Sequence, residues 1–453
     1  MKKTIGKSAF LFKTIAIAVM ILLMLMPLLF VEDIIYDRYK YKEEAVSKIT
    51  DSWGKQVILA APVLNIPYRY NDVVEVRRDD KIAKEISVKT GYAKYAPEDL
   101  SVDVNVSSQI RYIGIFEVPV FTADITMSGS FEKLANVEAE SRFEGAFISL
   151  ELKDLKGISE PVLIWNGTPQ KFEPSNEGEP LVLRPIDISQ YERENSYISY
   201  EGVKLGALNS KIDFKNNGGK FELKFSIKGS ESISFVPLAK TNSFHMTSDW
   251  ANPNFSGAFL PDSKNITDKG FEASWDINYL SSAVPPRFDR KDLSQAQFQT
   301  SFLIPVDNYR SAERAVKYGK LFIALTFIIC FVFEITSRPI HFIQYLLVGF
   351  AMVIFYTLLI SISEFINFSL AYLVAAIAVV GLITAYAKFG IAKDLSAKNI
   401  GVVALSLSFL YGYLYILLQL QDMALLYGSI GLFAALALIM YMTRNINWYE
   451  ERE

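Results

Sequence analysis

Cysteine and histidine are almost missing from these 453 residues, which hold one cysteine, Cys330, and two histidines, His245 and His341. A single thiol cannot close an internal disulfide, so a folded region in an oxidising space would have to hold itself by core burial. Two histidines so far apart give no metal-ligand spacing and no Ser-His-Asp or Cys-His set. A phosphate-cradling loop of the Walker type is also missing. These absences lead to the expectation of a protein that is not an enzyme, with no catalytic residue, no cofactor and no metal.

Basic charge is scarce as well, and unevenly placed. Residues Glu32–Val316 carry 34 Lys and Arg against 42 Asp and Glu, a net of −8, whereas the rest carries 12 against 7, a net of +5. Nucleic acid and anionic lipid surfaces are held by clustered Lys and Arg. An acidic region of this size therefore excludes nucleic acid as a partner.

Apolar length is what the chain has in abundance. A bilayer core about 30 Å thick takes ~20 apolar residues in a helix. Five consecutive stretches near the C-terminus meet that length: 319–335, 342–362, 368–387, 400–420 and 423–442. A sixth, 14–31, lies far upstream behind Lys2, Lys3, Lys7 and Lys13, and no small-x-small cleavage site follows it. It reads as an uncleaved anchor. The expected fold class is a multi-domain membrane protein, with six transmembrane α-helices in a one-plus-five arrangement and a large, β-rich, mostly antiparallel extracytoplasmic domain between them.

After the anchor, Ile35, Tyr39, Lys42, Val46, Ile49 and Trp53 recur at steps of four and three, which predicts a stalk helix over 32–54 ended by Gly54. From 55 to 306 the signals are strands. Phe221, Leu223, Phe225 and Ile227 alternate with polar residues, as do Phe271, Ala273, Trp275, Ile277 and Tyr279. Rougher runs occur at 86–92, 101–106, 121–127, 143–152, 162–165 and 244–250, with turn chemistry at Asn166-Gly167, Asn216–Gly219 and Pro285-Pro286. This pattern predicts a sandwich or two packed β-subdomains, the boundary in the latter case falling at about 174–219. A connecting helix over 307–318 then leads into the second span.

Orientation follows from Lys and Arg in the short loops. With residues 1–13 in the cytoplasm, the loop bearing Arg338, the loop bearing Lys388, Lys393 and Lys398, and the tail 443–453 with Arg444 and Arg452 all fall inside. The opposite loops, 363–367 and 421–422, contain neither residue type. The β-rich region is thereby expected beyond the inner membrane, in the periplasm.

Two carboxylates at membrane depth are candidate functional residues, because such groups are costly and often mark ion or substrate paths. Glu364 stands at the outer end of the third span behind Ser361 and Ser363, with no evident partner. Glu334 stands near the inner end of the second span, four residues before Arg338, a spacing that would pair the two on one helix face. Small residues in the last three spans, among them Ala371, Ala375, Ala376, Ala378, Gly381, Gly401, Ser408, Gly428, Gly431 and Ala434, read as close-packing positions between helices rather than a pathway.

The segments Phe255-Ser-Gly-Ala-Phe-Leu-Pro261, Gly270-Phe-Glu-Ala-Ser-Trp275, Ala315-Val-Lys-Tyr318, Gln344-Tyr-Leu-Leu-Val-Gly349, Phe355-Tyr-Thr-Leu-Leu359, Ser363-Glu364 and Thr443-Arg-Asn-Ile-Asn-Trp-Tyr449 resemble the CreD family of bacterial inner-membrane proteins. The resemblance runs over nearly the whole chain. It implies a role in cell-envelope integrity, colicin tolerance and envelope stress response, and it brings no catalytic residue with it. The expected partners are the lipid bilayer and another envelope protein or envelope polymer. A transporter or channel working through Glu364 is the alternative, and a membrane-tethered hydrolase with acidic residues converging in a β-domain cleft is a third.

Overall fold

A computed structural model describes residues 7–78, 81–134, 142–175, 177–183, 186, 203–288, 293–302, 308–336, 340–391, 397–420 and 423–444. The chain divides into a helical unit, Met1–Glu44 with Val306–Glu453, and a β unit, Ala45–Pro305. Among the described residues the α-helices are α1 (Lys7–Trp53), the single turn α2 (Tyr279–Ser282), α3 (Asn308–Thr336), α4 (Phe342–Ser363), α5 (Phe368–Tyr386), α6 (Ala397–Gln419) and α7 (Ala424–Thr443). Five of them, α1, α4, α5, α6 and α7, are long and apolar enough to cross a membrane. The stretch 319–335, read as a further span, lies within α3.

Helix starts in an apolar medium must satisfy their free N–H groups internally. His341 does this for α4: its Nδ1 accepts from Ile343 N at 3.3 Å, and Gln344 Oε1 accepts from His341 N at 2.8 Å, a reciprocal cap. Asn367 caps α5 by accepting from Leu370 N at 2.9 Å. In α1 the buried positions Ile17, Met20, Met24, Leu28, Val31 and Ile35 form one stripe at steps of three and four. Continued by the same steps, that stripe next meets Arg38 and Lys42.

The small residues behave differently from the sequence expectation. Ala371, Ala375 and Ala376 of α5 are buried, and a Cβ at Gly431 would strike the Tyr413 ring. Gly381, Gly401 and Gly428, however, have nothing within 4 Å of a Cβ, and Ala378, Ser408 and Ala434 are exposed. The reason is position: no described residue packs within reach of a Cβ at these glycines, and no residue of Ala424–Tyr441 in α7 is buried. The close approaches that glycine permits here are made elsewhere, by Gly319 against the Tyr356 ring and by Gly349 against Met24 and Phe327.

The β unit is built from a ten-stranded and an eight-stranded sheet, with a separate two-stranded pair. The alternating segments found in the sequence fall in strands: Gly219–Ser230, Gly270–Asn278, Asp99–Ile113, Phe116–Phe131, Thr241–Ser248 and Val162–Trp165. Of the run 143–152, only Phe147–Leu152 is extended, because Phe143–Gly145 forms a 3-10 turn. Pairing is mostly antiparallel, with parallel exceptions at Val57–Ala60 on Ser232–Val236 and Thr241–Ser248 on Asp99–Ile113. The two sheets share one continuous apolar core. Rings from each interlock there: Phe121 with Phe302 at 4.8 Å, Phe244 with Phe298 at 5.0 Å and Trp275 with Phe298 at 5.1 Å between centroids. Described parts of 174–219 supply the strands Glu173–Pro174, Val182–Leu183, Val203–Lys204 and Gly206–Lys211. Residues 187–202 of that stretch lie outside the described residues.

The last turns of α1 belong to the β unit. Ile49 packs on Val118 and Val120, and Trp53 lies between the cations of Arg111 and Lys228, 3.9 and 4.7 Å from its ring centroid. Gly54 follows with φ +134, where a Cβ would sit 2.4 Å from Lys228 O. Only glycine fits that turn.

Candidate functional site

Polar side chains of three helices converge on Glu364, which ends α4. Arg38 of α1 grips it with both prongs, Nε donating to Oε1 at 2.6 Å and Nη2 to Oε2 at 2.8 Å. Tyr309 of α3 donates its hydroxyl to Oε1 at 2.9 Å. Asn308 adds a bond from Nδ2 to the Ser363 carbonyl, and Lys42 Nζ stands 5.7 Å from the Tyr309 ring centroid. One carboxylate thus joins three helices. Burial, with the neighbouring Glu364 carboxylate second, pushes the Tyr309 phenol above its ordinary value, so it remains a hydrogen-bond donor.

Glu364 therefore has a partner that sequence reasoning missed. The signal was available in part: Arg38 continues, by steps of three and four, the stripe of α1 that is buried from Ile17 to Ile35, though its own side chain is half-buried. Its partner stands 326 residues away, beyond the reach of any local spacing rule.

Glu334 is 6% exposed in α3 and accepts from the Tyr345 hydroxyl of α4 at 2.9 Å. The pairing anticipated with Arg338 lies outside the described residues. Tyr345 also meets Phe327 edge-on at 5.9 Å. The α3–α4 pair is consequently fastened at two depths, by Glu364 near one end and Glu334 near the other. Between α4, α5 and α6 the interior is filled by rings: Phe355 contacts Tyr356, Tyr372 and Tyr411 at 4.8 to 5.3 Å, and the Tyr372 hydroxyl donates to Tyr411 O at 2.6 Å. The geometry is that of a packed aromatic core.

In the β unit a concavity of about 540 Å³ is lined by Asp99, Ser128, Ser130, Lys220 and Glu222 around Gly129. Asp99 accepts from the Ser130 hydroxyl and Glu222 pairs with Lys224. His245 stands 3.5 Å from Glu272 on a different part of the same sheet. Among the described residues no three His, Cys, Asp or Glu side chains group as metal ligands. Beneath the segment 177–183, Lys94 and Glu151 are buried as a pair, Nζ to Oε1 3.5 Å, at 5% and 1% side-chain exposure. Burial raises the Glu151 carboxyl above the ordinary carboxylate value, and Lys94 opposes the shift.

Residues 9–449 match the family model described as inner membrane protein CreD. The chain belongs to the CreD family. Inner membrane protein CreD of Escherichia coli (strain K12) is 30% identical to it over 461 residues, an alignment covering 98% of this chain and 94% of that protein. With its apolar helices, this CreD family member is a multi-pass protein of the inner membrane. In it, α4 carries the segments Gln344–Gly349 and Phe355–Leu359 named above, and the same helix supplies Tyr345 and Phe355 to the contacts just described.

Proposed function

We propose that this CreD family member supports cell-envelope integrity and the envelope stress response without catalysing a reaction. Six spans hold it in the membrane with both termini cytoplasmic, and the β unit reaches an envelope protein or polymer on the periplasmic side. The observation that carries the orientation is the segregation of Lys and Arg into alternate loops. Support for a scaffold role comes from Glu364, whose charge is neutralised by Arg38 within the bundle.

Single cysteines at Lys264 and Lys388 in a Cys330→Ser background test the orientation. An impermeant maleimide applied to cells with a permeabilised outer membrane is expected to label position 264 and to spare 388 until the inner membrane is opened. The reverse pattern would remove the proposal. Partner contact is tested by crosslinking membranes that contain the chain with or without the β unit; the crosslinked species are expected to vanish with that unit, and their persistence would contradict the reading.

A transporter is the second reading, favoured by one observation, a carboxylate at the edge of the hydrocarbon zone.

A further inference from the structure

The strands Val63–Arg78 and Lys81–Tyr95 pair with each other along nearly their whole length, but the rest of the ten-stranded sheet meets them only at the base. Phe147–Leu152 joins the first at Val63, Leu64 and Asn65, and Arg287–Phe288 joins the second at Tyr95 and Lys94. Beyond them, among the described strands, the twelve residue pairs from Pro67–Tyr92 to Arg78–Lys81 run on as a two-stranded ribbon, about 40 Å long at 3.3 Å per residue. A two-stranded ribbon alone in water is marginal, because neither its edges nor its faces are covered.

Cover is missing on one face in particular. Val73 is opposite Ile86 and Asn71 opposite Val88, so three aliphatic side chains share that face. Val73, Ile86 and Val88 are 53%, 70% and 62% exposed. The other face is closed over by its own side chains: the Tyr68 ring lies against Gly91 and 5.9 Å from the Tyr70 ring, and Lys89 pairs with Asp72. One edge is open too. The first strand gives Pro67 O to Arg142 N, whereas between Lys81 and Ala93 the second strand pairs, among the described residues, with the first alone. Ser87, Lys89 and Thr90 on that edge are exposed. A free edge carrying exposed aliphatic side chains is a template for another strand.

The residues of the edge say which strand. Two copies of one strand related by a two-fold axis normal to the sheet run antiparallel, and the residue at the axis faces itself. Ser87 is the midpoint of the open edge Lys81–Ala93. An axis there sets Ile86 opposite Val88 of the second copy and Glu85 opposite its Lys89, each pairing occurring twice by symmetry. The overlap then ends at Ala93, where Arg287–Phe288 closes the edge. Neighbouring registers fit worse. Axes at Lys84, Glu85 or Lys89 put like charges face to face, an axis at Ile86 puts Val88 against Lys84, and one at Val88 puts Glu85 against Gly91 and Ile86 against Thr90. Of the six axes from Lys84 to Lys89, the one at Ser87 alone matches aliphatic to aliphatic and acid to base.

We propose that this CreD family member forms a homodimer in which the strand Lys81–Tyr95 pairs with its own copy about Ser87, joining two ribbons into one four-stranded sheet. The interface belongs to the β unit and is independent of the envelope component that the unit contacts.

Disulfide trapping of the full-length protein in purified inner membranes tests it. In a Cys330→Ser background, Ser87→Cys is expected to oxidise to a covalent dimer, because residues directly opposite in an antiparallel pair have Cα atoms about 4.5–5.5 Å apart, within disulfide range. Lys264→Cys, exposed on the strand Ser263–Thr267, is expected to stay monomeric. Sedimentation of the detergent-solubilised protein measures the affinity. Glu85→Lys sets lysine against Lys89 of the second copy while leaving the Lys89–Asp72 pair in place, and is expected to weaken the dimer roughly tenfold. Adding Lys89→Glu is expected to regain most of that loss, since the exchange restores both pairs between the copies. Three results would overturn the proposal: Ser87→Cys trapping no better than Lys264→Cys, trapping into a species of another mass, as an envelope protein would give, or a dimer whose affinity Glu85→Lys leaves unchanged.

Discussion

Lys94→Met is expected to cost the β unit about 3–5 kcal/mol, the usual result of leaving one half of a buried ion pair without the other. The loss has two parts. Among the described residues Glu151, 1% exposed, keeps the Leu181 N–H, and the carbonyl of Glu179 loses the ammonium that holds it. The effect carries a pH signature. Burial already raises the Glu151 carboxyl in the folded state, and removing Lys94 removes the opposing cation. For a carboxyl raised on folding, the unfolded chain releases the proton more readily, so its contribution is fully present below the unfolded value and is lost as pH rises through the folded one. Lys94→Met is thus expected to be mildest in acid and worst at neutral pH. Thermal unfolding at a series of pH values from about 4.5 to 7.5 measures this, and a penalty that does not grow with pH would rule it out. Lys94→Met combined with Glu151→Leu is expected to recover the part of the loss due to the unpaired carboxylate and its pH dependence, but not the part due to the Glu179 carbonyl and the Leu181 N–H, which the two substitutions leave without their side-chain partners.

The second large effect concerns the clasp at Glu364. Arg38→Ala leaves the carboxylate, 11% exposed, with the Tyr309 hydroxyl as its remaining bond of the clasp. Arg38 is itself 36% exposed, so solvent screening trims the expected loss to about 1–2 kcal/mol. That is enough to lower the amount of folded protein in membranes several-fold. Glu364→Ala is expected to do the same, and the exchange Arg38→Glu with Glu364→Arg to restore part of it. Proteoliposome flux separates the transporter reading from this one: a scaffold predicts no flux of envelope precursors in wild type or Glu364→Gln. Flux in the wild type that Glu364→Gln abolishes, with folding intact, would reverse the conclusion.

The parts of the molecule legible in sequence are those governed by local rules. Length and apolarity located the helices, since hydrocarbon thickness imposes both. Alternation located Gly219–Ser230 and Gly270–Asn278, because each has one wet and one dry face. Legibility failed where a partner was remote. Nothing near Glu364 announces Arg38, and nothing near Glu151 announces Lys94, since sheet register brings together strands that the sequence separates. It failed also where polar side chains are dry: Gln297, Gln299 and Ser301 are buried although their composition gives no sign of it. Gly381, Gly401 and Gly428 were expected to bring helices together, but which side of a span is occupied depends on neighbours that composition alone does not reveal.

The Arg38–Glu364 clasp also has a history built into it. A ribosome adding about 5–20 residues per second needs on the order of tens of seconds to travel the 326 positions between the two. During that interval the first helix is already inserted and its guanidinium has no carboxylate to meet. Until α4 has been made, that guanidinium is solvated by water, and the clasp can close only afterwards.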